Sequence, residues 1–361
     1  MHPNKIINED LERIVSADLN WKQFENKTIL ISGANGFLPA YMVETLLFLT
    51  QKGIVSDLKV LALVRNKEKA EKRFSHLLND KHLQFIIQDV CTPLHLEYPA
   101  HFIIHAASQA SPKYYGTDPV GTLNANITGT LNLCNFAKNN PVESFLYFSS
   151  GEVYGKVDDT VEFVSETDYG YLDPMNVRSC YGESKRAGET ICVSYMHQYG
   201  LPFKAVRPAH TYGPGMDLND GRVFADFVRD IVNNKDIVMS SDGSASRAFC
   251  YLSDATIAFF KILLQGKNGE AYNMANSVCE ITILELAEKL INLFPEKKLR
   301  VIRKNELADG YMVSKNTRNS MSIEKLKQLN WMPTVNIENG FYRTILSYKD
   351  KRTRAICSLR T

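Results

Sequence analysis

The apolar run Thr28-Ile-Leu-Ile-Ser32 breaks into Gly33-Ala-Asn35-Gly36-Phe37-Leu38-Pro39 and resumes as a helical pattern through Leu47. Strand, glycine turn and helix in that order constrain a fold more than any other feature of the chain, because they open a βαβ unit. Gly33 permits the tight turn. Gly36 lets the backbone approach a pyrophosphate at the head of the helix, with Asn35, Phe37 and Leu38 in the same cofactor-binding turn. Pro39 stands where a third glycine is usual; a first helical turn tolerates it, with looser packing of helix on strand. An ordinary βα turn is the alternative reading.

A second strand, Leu58-Lys-Val-Leu-Ala-Leu-Val64, ends in Arg65-Asn66-Lys67. A carboxylate there would bind the ribose hydroxyls of NAD, whereas an arginine suits the extra phosphate of NADP. The chain offers Arg65 and no carboxylate, which tilts the cofactor from NAD toward NADP; an exposed loop arginine is the other explanation. Further β segments at 84–87 and 102–105 lead into Asp89-Val90 and Ala106-Ala107-Ser108, the next expected cofactor contacts, and a fifth covers 144–149. Apolar strands alternating with helical stretches predict an α/β fold. The form expected is a Rossmann-type doubly wound parallel sheet with a smaller C-terminal α/β substrate domain.

The chemistry concentrates in Arg178-Ser-Cys-Tyr181-Gly-Glu-Ser-Lys185-Arg-Ala-Gly-Glu189. Tyr181 and Lys185 are one turn apart on one face of a helix. An ammonium beside a phenol favours the phenolate, so the tyrosine's pKa is expected below its usual value of about 10, which suits an acid/base near neutral pH. A lone pair of this kind also occurs on ordinary solvated helices. The fifth strand, however, delivers Ser149-Ser150-Gly151-Glu152-Val153-Tyr154-Gly155, and a hydroxyl at a strand's carboxyl end sits where open α/β sheets hold ligands. Ser150, Tyr181 and Lys185 together are far more specific than any one of them.

Composition excludes several classes. A chain of 361 residues, 44% hydrophobic, can bury a large core, and a net charge of +2 shows no bias toward nucleic acid or membrane. Seven cysteines without a CxxC read as reduced thiols of a cytoplasmic protein. The eight histidines are scattered and none pairs with carboxylates at ligand spacing, so no metal is expected. Four segments are predicted: a helical extension over 1–26, an NAD(P)-binding domain over 27–210, a mainly substrate-binding domain over 211–345, and a basic tail over 346–361. Within the third, 281–294 reads as an amphipathic helix with Ile283, Leu284, Leu286 and Leu290 for burial.

With these motifs in order, the chain resembles the extended short-chain dehydrogenase/reductases of the nucleotide-sugar epimerase/dehydratase group, from about 27 to 345, and among them most resembles the UDP-glucuronate decarboxylases. The matching stretches are HAASQASPKYY (105–115), Asn126-Ile-Thr-Gly-Thr130, SSGEVYG (149–155), RSCYGESKRAGET (178–190), GPGMDLNDGRVFADF (213–227) and GSASRAFCYLSD (243–254). The resemblance implies that Ser150 orients the sugar's 4-hydroxyl, Tyr181 takes its proton, and Lys185 lowers the tyrosine's pKa and binds the nicotinamide ribose. Glu152 matches an additional acid. Ser111, His210, Arg222, Arg247 and Arg318 fall at substrate-binding positions, with Arg222 able to hold a phosphate by two hydrogen bonds. Hydride passes from sugar C4 to the cofactor, and in a glucuronate the resulting ketone lets carbon dioxide leave. Surface charge is the plain alternative for Arg222 and Arg247, and a strand-end cap for Ser150.

Departures from the group's pattern keep other reactions in view. Gly151 replaces the aspartic acid of the 4,6-dehydratases, His210 replaces an asparagine, Ala275 a glycine, and Arg318 lacks the usual Pro-Asp after it. With Arg65, these favour an NADPH-dependent reductase of a dTDP-linked 4-keto-6-deoxyhexose as the alternative, ahead of a 4-epimerase or 4,6-dehydratase. A sensor or scaffold that binds NAD(P) without turnover is the reading from a different class. The resemblance also implies a UDP- or dTDP-linked sugar as substrate, a homodimer paired through the Tyr181 helix, and a place in polysaccharide or O-antigen synthesis.

Overall fold

The computed structural model describes residues 2–96, 98–304 and 320–349, and its first helix, α1 (Lys5–Val15), precedes the sheet. Strand and helix then alternate: β1 (Lys27–Ser32), α2 (Phe37–Gln51), β2 (Leu58–Val64), α3 (Lys67–Arg73), β3 (Leu83–Ile87) and β4 (Phe102–His105). Next come α4 (Pro112–Thr117), α5 (Pro119–Ala137), β5 (Ser144–Phe148), α6 (Ser179–Tyr199), β6 (Phe203–Pro208) and β7 (His210–Tyr212). The last third holds α7 (Val223–Val232), β8 (Ile237–Met239), β9 (Ser246–Tyr251), α8 (Leu252–Gln265), β10 (Ala271–Met274) and β11 (Glu280–Thr282). It closes with α9 (Ile283–Asn292), β12 (Val301–Arg303), α10 (Glu324–Gln328) and α11 (Ile337–Lys349).

Among the described residues, seven strands make one parallel sheet in the order β10-β6-β5-β4-β1-β2-β3. The chain runs outward from β1 to β3, then returns to place β4 on the other side of β1. That reversal opens a crevice at the carboxyl ends of β1 and β4, where doubly wound sheets bind ligands. Both sheet faces are covered, which is why the strands read as continuous apolar runs. Ile29 and Ile31 of β1 face the layer of α1, α2 and α8, while Leu30 faces α5 and α6.

The split at 210 needs correction. α8 and β10 lie beyond it yet return to the large sheet, whose outer strand is β10. The smaller unit packs β7, β9 and β11 with β8, β12, α7, α9 and α11 around its own core. The amphipathic helix begins two residues later than expected because Thr282 and Glu285 form a capping box, leaving Ile281 in β11. Leu284 stays half-buried while Ile283, Leu286 and Leu290 are buried. Lys349 is the last described residue, so the rest of the basic tail lies outside the described residues.

The N-terminal extension packs within the chain. Asn4 caps α1, accepting hydrogen bonds from Ile6 and Ile7. Asp10, 1% exposed, accepts hydrogen bonds from Arg343 Nη2 (2.8 Å), Tyr251 (2.8 Å) and Tyr41 (3.2 Å). One buried carboxylate thus joins α1, α2, β9 and α11. Removing one partner strands the other charge, so Asp10→Ala and Arg343→Met are each expected to cost about 3 kcal/mol in urea unfolding. The double variant is expected to cost less than their sum; strict additivity would show that the pair is uncoupled.

Candidate active site

Gly33 has φ +66°, and a Cβ there would stand 2.7 Å from Ala107 Cα, so only glycine lets the turn close on the end of β4. Gly36 caps α2 and donates to the Gly33 carbonyl at 2.8 Å. Asn35 lies in this turn, with Phe37 and Leu38 opening the helix; Pro39 follows in the first turn, where it interrupts no ladder bond. Across the crevice come Ala106, Ala107 and Ser108, and the Ser108 hydroxyl is buried without a partner among the described residues. A tight glycine cradle facing an orphaned hydroxyl fits a dinucleotide. At the rim, Arg65 lies 3.7 Å from Asp89, both side chains largely exposed. The Val90 side chain instead turns under α5, where Gly129 leaves it room.

Ser150 follows β5 and caps the short turn Gly151–Tyr154, its hydroxyl accepting from the Glu152 amide at 3.2 Å. Its hydroxyl also lies close enough to the phenol of Tyr181 on α6 to lower that group's pKa. Lys185, one turn further along α6, donates from Nζ to the Phe148 carbonyl at 2.6 Å, 5.8 Å from the centre of the Tyr181 ring. The fold therefore brings Ser150, Tyr181 and Lys185 together.

Their electrostatics differ from the expectation. Burial pushes the Tyr181 phenol up to about 12, and the Ser150 hydroxyl offsets this only in part. Lys185 carries the complementary shift: burial lowers it to about 7, with Glu189 and Cys192 pulling back upward. The reason is geometric and dielectric. The ammonium is aimed at a carbonyl rather than at the phenol, and desolvation outweighs the pairing of two deeply buried groups.

Around the tyrosine the structure adds two residues that the sequence reading passed over. The Tyr115 ring stacks on that of Tyr181 with centroids 5.0 Å apart and 17° between planes. Arg178, at the head of α6, pairs with Glu152 at 3.1 Å, and its Nε is buried without a described partner. Both lie inside the stretches 105–115 and 178–190, so an aromatic and a guanidinium bracketing the Tyr-Lys pair were the available signals.

The substrate positions divide. The Ser111 hydroxyl donates to the Asp220 carbonyl, so it tethers the 219–222 loop instead of facing the cleft. Arg222 Nε donates to Asp220 Oδ2 at 2.7 Å, and its guanidinium lies over the Phe224 ring. His210 on β7 meets the rings of Phe224 and Phe249 edge-on; burial first, then Arg247 and Arg222, hold it neutral with a pKa of about 3. Arg247 donates to the Ser246 carbonyl at 2.7 Å. Arg318 lies outside the described residues.

The sequence shows no histidine paired with carboxylates at ligand spacing, yet the fold brings two histidines and a carboxylate together from distant segments. His2, Glu44 and His76 converge with candidate ligand atoms within 4.8 Å. The Asn4 amide donates to His2 Nδ1 at 3.0 Å, which leaves this histidine's proton on Nε2, the nitrogen that faces Glu44 at 3.9 Å. His76 Nε2 lies 2.9 Å from Glu44 Oε2, so the hydrogen bonds here join His2 to the Asn4 amide and His76 to Glu44.

Comparison with known proteins agrees with this geometry. The profile described as the NAD dependent epimerase/dehydratase family matches residues 29–275. UDP-glucuronic acid decarboxylase 3 of Arabidopsis thaliana is 32% identical over 317 residues, covering 87% of either chain. UDP-glucuronic acid decarboxylase 1 of Danio rerio is 33% identical over 322 residues, 89% of this chain and 72% of the relative. An epimerase from Methanothermobacter thermautotrophicus superposes with a TM-score of 0.79 at 20% identity, over 99% of both chains. A UDP-glucuronic acid 4-epimerase from Bacillus cereus, in complex with UDP-glucuronic acid and NAD, gives 0.73 at 20% identity over 89% of this chain and 99% of its own. At those identities the two structures show a shared fold.

The buried lysine carries its own test. Lys185 titrates near 7 in the fold and at 10.5 when unperturbed, so between these values the unfolded chain binds the extra proton. Stability at this residue therefore rises with pH through that window, and the penalty is constant below it. In urea unfolding, Lys185→Met is expected to exceed the wild type most at pH 7 and below, the gap closing toward pH 10. A gap independent of pH would show that the ammonium is not desolvated.

Proposed function

We propose a reaction for this chain from one premise: it belongs to the NAD dependent epimerase/dehydratase family. The chain is a nucleotide-sugar enzyme working at sugar C4, and its reaction is decarboxylation of UDP-glucuronate. Arg178 carries this reading. It is a half-buried guanidinium paired with Glu152 and close to Tyr115, whose ring stacks on Tyr181, and its buried Nε is left to donate to a carboxylate at sugar C6. Gly151 supports it. Glycine supplies no acid for expulsion of a hydroxyl, and a Cβ there would meet Met321 Sδ at 3.2 Å, a tight contact that needs the methionine to shift.

Tyr181 is the group that would take the 4-hydroxyl proton, and it must do so as the phenolate, so its pKa has to fall from about 12 once the crevice is filled; Ser150 beside the phenol would orient the sugar. The glycine turn, Ala106, Ala107 and Ser108 would hold a dinucleotide, which would supply reversible hydride transfer at C4. The 4-ketone is β to the carboxylate, so carbon dioxide leaves as the carbon–carbon bonding pair passes into an enolate. Arg222 and Arg247 serve the nucleotide diphosphate, and Ser111 keeps the Arg222 loop in place.

The dinucleotide is NAD or NADP, with Arg65 favouring the latter. Its exposed contact with Asp89 is weak enough to yield to a phosphate. The protein acts as a homodimer through α5 and α6, which pack on each other and leave Leu131, Val193 and Tyr199 exposed. No helix among the described residues is long and apolar enough to cross a membrane, and the described cysteines are free thiols, in keeping with a cytoplasmic location.

Incubated with UDP-glucuronate and NAD or NADP, the protein is expected to yield a product lighter by one carbon dioxide. Tyr181→Phe is expected to lower kcat about 1,000-fold. Arg65→Ala is expected to weaken NADP several-fold and leave NAD unchanged; an equal effect on both would remove the case for NADP. UDP-glucuronate returned unchanged by folded, cofactor-binding protein would sink the decarboxylase. The Arg65 site would then favour reduction of a dTDP-4-keto-6-deoxyhexose, read as NADPH consumption.

A further inference from the structure

Three fully buried side chains at the reversal point of the sheet have no part in the reaction above. The register of β1 and β4 sets Ser32 beside His105. Ser32 Oγ lies 2.8 Å from His105 Nδ1, and His105 Nε2 lies 3.0 Å from Thr130 Oγ1 on α5.

The direction of every bond follows from counting protons and lone pairs. Ser32 Oγ accepts the amides of both Ala106 and Ala107, each at 3.2 Å, which uses both of its lone pairs. Its own proton must therefore go to His105 Nδ1. Burial, and then the neighbouring Lys185, hold the His105 pKa down to about 3, so the ring has one proton. That proton sits on Nε2 and is donated to Thr130, whose hydroxyl donates to the Asn126 carbonyl at 2.5 Å. The opposite tautomer would need a third lone pair on Ser32.

We propose that this one-way chain, Ser32 to His105 to Thr130, shapes the wall of the dinucleotide crevice, with His105 as its positioning residue. Through Ser32 it fixes the Ala106 and Ala107 amides, and Ala107 is the atom set on which the Gly33 turn closes, with 2.7 Å separating Ala107 Cα from the place of a Gly33 Cβ. A shift of a few tenths of an ångström there changes how near a pyrophosphate can come to the turn. The inference rests on the dinucleotide site and not on decarboxylation.

Titration calorimetry with NAD and NADP tests it. Ser32→Ala takes away the acceptor shared by two amides and is expected to weaken the bound dinucleotide about tenfold. Ser32→Thr keeps the hydroxyl and is expected to restore binding, a rescue that loss of general stability would not give. In wild-type protein, the nitrogen NMR signals of His105 are expected to show a protonated Nε2 and a bare Nδ1 from pH 5 to 9. Wild-type affinity in folded Ser32→Ala, or a proton on Nδ1, would overturn the proposal, and the spectrum decides it alone if Ser32→Ala does not fold. Wild-type protein that binds neither dinucleotide would overturn the cofactor assignment instead.

Discussion

The placement of α6 depends on one buried guanidinium. Arg207 of β6, 1% exposed, forks onto Glu189 of α6 at 2.8 and 2.6 Å. It also donates to the Tyr154 hydroxyl, the Glu166 carbonyl and the Tyr169 hydroxyl. A charge buried this deeply is tolerable only with its donors satisfied, so the partners are pinned as firmly as the arginine. They lie on α6, on the turn that follows Ser150 and on the loop beyond it. Tyr181 and Lys185 sit on the same helix, two turns and one turn before Glu189. The relative positions of Ser150, Tyr181 and Lys185 are thus set by an ion pair outside the site. Gly188 completes the seat: a Cβ there would lie 2.0 Å from the Tyr147 hydroxyl, so the helix comes down on the sheet only at a glycine.

The sheet was legible because parallel strands buried on both faces leave unbroken apolar runs, as at 28–32, 58–64 and 102–105. The Ser-Tyr-Lys set was legible because two members share a helical turn and the third ends a strand. β10 was not. Ala271-Tyr-Asn-Met274 is short and carries a buried asparagine, and its place in the sheet comes from pairing with β6 across a long excursion. The boundary at 210 failed for the same reason, since contiguity in sequence is not contiguity in space. His2, Glu44 and His76 meet from three separate segments, which no spacing rule could detect.

The pKa of Tyr181 was misread for a different reason. Spacing on a helix says that two side chains are neighbours, but says nothing of the dielectric they share. Lys185 is 2% exposed and Tyr181 7%, so both charged forms are penalised, and the pair resolves toward a protonated phenol and a weakened ammonium. Spacing was equally silent on Ser111, whose hydroxyl donates to the Asp220 carbonyl.

These shifts divide the cleft into two electrostatic regions. At the sheet, His105 is neutral, Tyr181 keeps its proton and Lys185 is poised near 7. Toward the smaller unit stand Arg222 and Arg247, with His210 kept neutral between them, while Arg178 pairs with Glu152 at the head of α6. Arginine keeps its charge where lysine and histidine lose theirs, because its guanidinium is more weakly hydrated and far more basic. Fixed positive charge therefore faces the side where an anionic nucleotide sugar would lie, while Lys185, the group of this set held near 7, stands with Tyr181 at the carboxyl ends of the strands. A carboxylated sugar spans both regions. In the proposed reaction its diphosphate and its carboxylate would meet permanent cations, and the hydroxyl at C4 would meet Tyr181 beside a lysine held near 7.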